Sequence, residues 1–300
     1  MAAPQSSDAP RPRDPERDTS LLHLLGPLSA LASAVVWGSG DFAGGFAARR
    51  SSQYQVVALA SLSGLLALLL LAFGRREAIP SLTSVGWASL AGVSGAIGMA
   101  ALYRGLAGRK AAVVAPTAGV VGAAVPVVVS FVMQGIPGRL HIAGIALGML
   151  GIWLVSKSLP SKEGAAEGGL RVGILAGLGF GGFFVLVAQV QPGLLFSPLV
   201  VAKLAALCAA LLVLGLQRQR LPAPAGNPVA LLAGVLDAGG NVLYLLATQL
   251  TRLDIAAVLA SMYPGSTVIL SRVILHEQIS ARQWLGVGLC LTGVSLIALR

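Results

Sequence analysis

Apolar residues run along this chain in long stretches, each closed by a short polar connection. Ten such windows can be drawn, at 24–48, 54–73, 84–107, 111–134, 140–158, 169–190, 197–216, 227–248, 255–275 and 283–299. Most approach the ~20 residues that a helix needs to cross ~30 Å of hydrocarbon. Helical periodicity inside a lipid-embedded segment is weak, so the length of each run, rather than an amphipathic period, carries the prediction. The pattern predicts an all-α integral membrane protein of ten transmembrane helices, preceded by a disordered polar tail over 1–22.

The ten windows are one block of five written twice. Residues 24–158 form the first block and 169–299 the second, with 159–168 as the joint between them. Gly144 and Gly151 in the fifth window match Gly286 and Gly293 in the tenth, and one offset separates the members of both pairs. Five is odd, so tandem copies must cross the bilayer in opposite senses. Inverted repeats with a binding site at their interface are a common plan of secondary transporters.

Composition then closes off other classes. The chain is 56% hydrophobic and 11% charged, against about 25% charged in a soluble domain. The net charge of +10 suggests no nucleic acid, because nearly all Lys and Arg flank the apolar windows and form no basic arm. With the N-terminus on one side, eight basic residues fall on that side and ten on the other, so charge bias gives no orientation. Cys208 and Cys290 lie inside apolar windows and read as small hydrophobes. His23, His141 and His276 have no metal-ligand spacing, and no metal or cofactor is expected. No P-loop or nucleophile elbow is present, so no enzyme is expected.

Against so apolar a background, each buried polar residue carries information. Asp41 and Asp237 are the two carboxylates well inside windows, where a charge costs on the order of 2.5–3.5 kcal/mol and faces a cavity or a partner. Asp237, Asn241, Tyr244 and Thr248 follow at spacings of four, three and four, on one helix face. That face reads either as a cavity wall or as a hydrogen-bonded seam between helices. Asp41 sits among Gly38, Gly40, Gly44 and Gly45, which suits a cavity or a tight crossing. Lys203 lies several residues into the seventh window, where it could pair with a carboxylate or bind an anion. Arg104 and Arg272, near window ends, can snorkel. Pro116 and Pro126 in the fourth window and Pro264 in the ninth predict helix breaks at comparable places in the two copies, near a site. Tyr263 and Thr117, beside such breaks, are candidate ligand contacts.

Several passages resemble the EamA-type branch of the drug/metabolite transporter superfamily. They are Trp37-Gly38-Ser39, Leu102-Tyr103-Arg104-Gly105-Leu106, Ser261-Met262-Tyr263-Pro264-Gly265, and Ile274-Leu275-His276-Glu277-Gln278-Ile279-Ser280 ahead of the glycine-spaced last helix. The chain departs from the family pattern at Gly135, which stands where Glu277 has its first-copy counterpart. The resemblance implies two inverted five-helix repeats and a proton-linked or facilitative carrier, often an exporter of amino acids, metabolites or drugs. It also implies a multi-pass protein of the cell membrane with a cytoplasmic N-terminus.

Together these readings give a small-molecule carrier working by alternating access. Asp41, Tyr103, Asp237, Asn241, Tyr244 and Tyr263 would line the substrate or proton pathway, with Lys203 as a charge partner. The lining helices would be the first, third, fourth, sixth, eighth and ninth. The expected partners are a small-molecule substrate, the bilayer and, as an option, a second copy in a homodimer. The alternatives are a lipid-carrier translocase, a lipid-modifying membrane enzyme, or an accessory membrane protein without transport.

Overall fold

The computed structural model describes residues 15–107, 111–156, 166–275 and 280–298. Glu277 and most of the joint between copies lie outside them. The described residues hold eleven α-helices. The first half comprises α1 (Pro15–Ala47), α2 (Gln53–Gly74), α3 (Leu82–Ala107), α4 (Ala111–Gln134) and α5 (Arg139–Ser156). The second comprises α6 (Ala166–Val187), α7 (Ser197–Leu216), α8 (Pro228–Leu250), α9 (Leu253–Ala260), α10 (Tyr263–Leu275) and α11 (Ala281–Ala298). No strand occurs among them. Six stretches are long and apolar enough to cross a membrane: Gln53–Gly74, Leu82–Ala107, Thr117–Gln134, Gly169–Val187, Ser197–Leu216 and Pro228–Leu250. Large apolar side chains point outwards, Leu70 at 76% and Phe73 at 88% exposure on α2 and Val132 at 82% on α4. Such a surface suits lipid rather than water.

Three boundaries correct the sequence reading. The tail expected to be irregular to residue 22 is helical from Pro15 onwards. Proline suits a first helical position, where its missing N–H costs nothing and its φ is already helical. Asp254, expected in a connection, lies in the first turn of α9 and is fully buried. Its carboxylate accepts from Arg252, with Nη2 at 3.0 Å, and Arg252 also donates to the Gln134 carbonyl at 3.2 Å and the Gly135 carbonyl at 2.8 Å.

The third concerns the prolines. The fourth segment is a single helix that continues through Pro116 and Pro126, against the breaks expected there. Apolar helices tolerate proline when neighbouring groups take up the freed carbonyls. The ninth segment is divided: the Ser261–Met262 turn separates α9 from α10, and Pro264 is the second residue of α10.

The packing repeats when the halves are exchanged. The α1·α8 contact has its counterpart in α3·α6, and α3·α7 in α2·α8, while α2·α7 and α5·α11 pair equivalent helices. At the closest approaches the correspondence is residue for residue. A Cβ on Gly92 would fall on the Ala202 carbonyl, and a Cβ on Gly234 would fall on the Ala60 carbonyl. The offset from Gly92 to Gly234, and from Ala60 to Ala202, is the one that separates Gly144 from Gly286. Along α6, Gly173, Gly177 and Gly181 meet Thr117, Val121 and Val125 of α4 in register. Small residues every four positions let helices approach to backbone contact where lipid gives little hydrophobic driving force.

Polar ties join the halves at both ends of the bundle. The Glu77 carboxylate, after α2, accepts the backbone N–H groups of Leu195 and Phe196, each at 2.8 Å, and that of Ser197, closing the N-terminus of α7. At the other end Gln219, which holds the position of Glu77 in the second copy, accepts from the hydroxyl of Ser52, the N-cap of α2, at 2.7 Å.

Candidate functional site

The polar stripe of α8 is placed by the helix start. The Asn227 side chain accepts from Ala230 N–H at 3.3 Å, with Pro228 at the first helical position. From there Asp237 and Asn241 lie on the face turned to α1 and α7. Trp37 of α1 donates its indole N–H to the Asn241 side-chain oxygen at 3.0 Å and lies 3.3 Å from the Asp237 carbonyl. The Asn241 amide donates to the Asp237 carboxylate at 3.4 Å. Lys203 of α7 donates to the same carboxylate oxygen and forms an ion pair with it. The pair is largely dry, with side-chain exposures of 7% for Lys203 and 16% for Asp237. The Lys203 stem reaches this point beside Gly64 of α2.

Aromatic rings pack around the same indole. Trp37 stacks on Phe184 with ring centroids 5.4 Å apart, and Phe184 faces Tyr244 at 4.7 Å. The Tyr244 hydroxyl donates to the Phe184 carbonyl at 3.2 Å, which fixes α8 against α6. Phe183 meets the Trp37 edge at 6.3 Å, and Phe180 meets the edge of Tyr263 at 6.2 Å. Phe180, Phe183 and Phe184 were not singled out from the sequence. Their signal was the i, i+3, i+4 spacing of three phenylalanines within one apolar run.

These groups enclose a cavity of about 580 Å³, counting its open mouth. Its lining includes Trp37 and Asp41 of α1, Gly95, Ala96 and Met99 of α3, and Phe180 of α6. Lys203, Asp237, Asn241 and Tyr263 of the second half line it too. Asp41 is half-buried in this wall. Among the described residues no hydrogen bond or ion pair engages its carboxylate, which lies within electrostatic reach of the Tyr103 and Tyr263 hydroxyls.

The cavity therefore gathers Asp41, Asp237, Asn241, Tyr263 and Lys203 out of the residues expected at a site. Tyr103 and Tyr244 stand behind its wall: Tyr103 is 1% exposed with its ring against Gly44, and Tyr244 is fully buried. Arg104 is exposed near the end of α3. The seventh segment, absent from the expected lining, supplies Ala202 and Lys203; the fourth segment supplies none of the lining residues among those described. No group of three or more His, Cys, Asp or Glu among the described residues could hold a metal.

The two halves contribute unequally. The first-copy positions equivalent to Asp237, Asn241 and Lys203 are Gly95, Met99 and Ser61. Gly95 and Met99 line the same cavity as their counterparts, so a pseudosymmetric frame carries the Lys203–Asp237–Asn241 group in the second half and small or apolar residues at the equivalent first-half positions.

This architecture, two copies of a helical unit locked around a central cavity, is that of a duplicated membrane carrier fold. The chain belongs to the EamA-like transporter family, whose model matches residues 24–157 and 168–299. A solved structure described only as the crystal structure of a protein is similar in fold, with TM-score 0.64 and 15% identity over 93% of this chain and 96% of that one. No curated protein matches the sequence.

Proposed function

We propose that the protein is a secondary transporter of a small organic molecule, spanning the cell membrane ten times and exposing its central cavity to each side in turn. The observation that carries this reading is the cavity itself, lined by polar and aromatic side chains drawn from both halves. Secondary carriers place substrate at such an interface and alternate access by rocking one repeat against the other. The ten spans count α9 and α10 as one broken crossing and add α1, α5 and α11 to the six clear ones. The family supports export of metabolites, amino acids or drugs and a cytoplasmic N-terminus.

Asp41 is the better candidate for proton coupling, since Asp237 is held by Lys203 and Asn241. Flux into proteoliposomes, with and without a pH gradient, tests this for wild type, Asp41→Asn and Asp237→Asn. Substrates for the assay come from a thermal-shift screen of metabolites and drugs, because a ligand that binds the folded state raises the midpoint by mass action. Proton-linked flux should vanish in Asp41→Asn. Unchanged coupling in both variants removes the carboxylate assignment.

A further inference from the structure

An apolar, aromatic cavity inside a membrane protein does not by itself call for charged residues, yet this one holds three. Lys203 and Asp237 neutralise each other, and Asp41 is engaged by no hydrogen bond or ion pair among the described residues. The described wall therefore carries one carboxylate without a charge partner, among the rings of Trp37, Phe180 and Tyr263 that also line the cavity. We propose that the cavity binds an organic monocation with a bulky apolar or aromatic body, its charge held by Asp41 and its body by those rings. The Lys203–Asp237 pair then sets charge selectivity, cancelling the second carboxylate so that one positive charge, not two, completes the site. This inference rests on the reading of the cavity as the substrate site.

Other ligand charges fit less well, for reasons of pairing. An anion meets the Asp41 carboxylate, and its natural partner Lys203 is already bound to Asp237. A zwitterion satisfies Asp41 with its ammonium but leaves its carboxylate to seek a donor. The Trp37 indole N–H is engaged by Asn241, and the Lys203 charge is already balanced by Asp237, although its ammonium keeps further N–H groups. A neutral ligand brings no counter-charge, and Asp41 beside it takes up a proton instead. A cation gains both the carboxylate and the ring quadrupoles, the combination that recognises quaternary ammonium groups.

The test is titration calorimetry of the purified full chain with three probes of similar body and different charge: benzyltrimethylammonium, phenylalanine and phenylpropionate. The expected order of affinity is cation, then zwitterion, then anion, on wild-type protein. Asp41→Asn should weaken the cation about tenfold, the scale of a partly desolvated charge or cation–π contact, while Asp41→Glu retains it. Lys203→Met/Asp237→Leu, which removes the pair without changing net charge, should keep the cation preference. Lys203→Met alone should shift preference towards a bis-quaternary dication. Equal or tighter binding of phenylalanine or phenylpropionate, no binding of any probe, or a cation affinity indifferent to Asp41→Asn overturns the inference. The two readings fail separately. Cation binding without flux in proteoliposomes removes the carrier and keeps the site, whereas flux of anions or zwitterions without cation binding removes the monocation alone.

Discussion

Lys203 and Asp237, on neighbouring helices of the second half, form an ion pair in the cavity wall, and their positions in the first half are Ser61 and Gly95. Desolvating two charges costs more than a well-packed apolar pair would, while removing one partner of such a pair is strongly destabilising. Lys203→Met should therefore lower stability by about 3 kcal/mol, the low end of that range because Asp237 borders a cavity. The double substitution Lys203→Met/Asp237→Leu should recover most of the loss. Thermal unfolding in detergent of both singles and the double, read as a double-mutant cycle, checks this; additive effects would mean the two side chains are not coupled.

Trp37 links the halves through its indole N–H to Asn241. Trp37→Phe keeps a ring against Phe184 but leaves the Asn241 oxygen without that donor, at a cost of about 1–3 kcal/mol. Asn241→Leu in the same background should be milder than the sum of the two changes. A midpoint for the double variant that drops by the full sum would separate the two residues.

The glycine contacts at the interface make a symmetry prediction. Gly92→Ala and Gly234→Ala each drive a methyl onto a backbone carbonyl, of Ala202 and Ala60 respectively, and neither carbonyl can move without its helix. Each should cost at least about 1–3 kcal/mol, and by similar amounts. Gly86→Ala is the control: nothing lies within 4 Å of its Cβ position, so it should be neutral or gain up to about 1 kcal/mol of helix propensity. Unfolding midpoints for the three variants decide the matter.

Glu77 accepts three backbone N–H groups ahead of and at the start of α7. Glu77→Ala leaves those donors without that carboxylate and should cost about 1–2 kcal/mol, with Glu77→Gln losing less. Amide exchange at Leu195, Phe196 and Ser197 should quicken in both variants. Unaltered protection would show that this tie does not hold the end of the bundle.

Fold and site differ in how far they are legible in the sequence. The duplication was legible because Gly144 and Gly286, or Gly151 and Gly293, sit in aligned runs whose spacing survives in packed helices. The stripe from Asp237 to Tyr244 was legible because polar residues stand out in an apolar run and share a helix face. Which segment Lys203 would meet was not, since it and Asp237 are 34 residues apart and the pairing of α7 with α8 at the cavity is tertiary. Phe180, Phe183 and Phe184 offered only their i, i+3, i+4 spacing, without contrast in polarity against a run already apolar. Pro116 and Pro126 misled because proline interrupts a helix in water more severely than in a packed apolar bundle, where neighbours compensate. Tyr103 and Tyr244 were recognised as polar but not as rings whose role is to press on Gly44 and Phe184.

The proposed alternating access, one cavity between two inverted halves open in turn to each face of the membrane, can be tested without knowing the substrate. Ala96 lines the cavity and is 6% exposed. An Ala96→Cys substitution, in a background with Cys208→Ala and Cys290→Ala, places a single thiol there. Membrane-impermeant maleimide should label it from outside in right-side-out vesicles and equally in inside-out vesicles, and a bound ligand should slow both reactions. Labelling from one face alone, whatever ligand is present, would contradict alternating access.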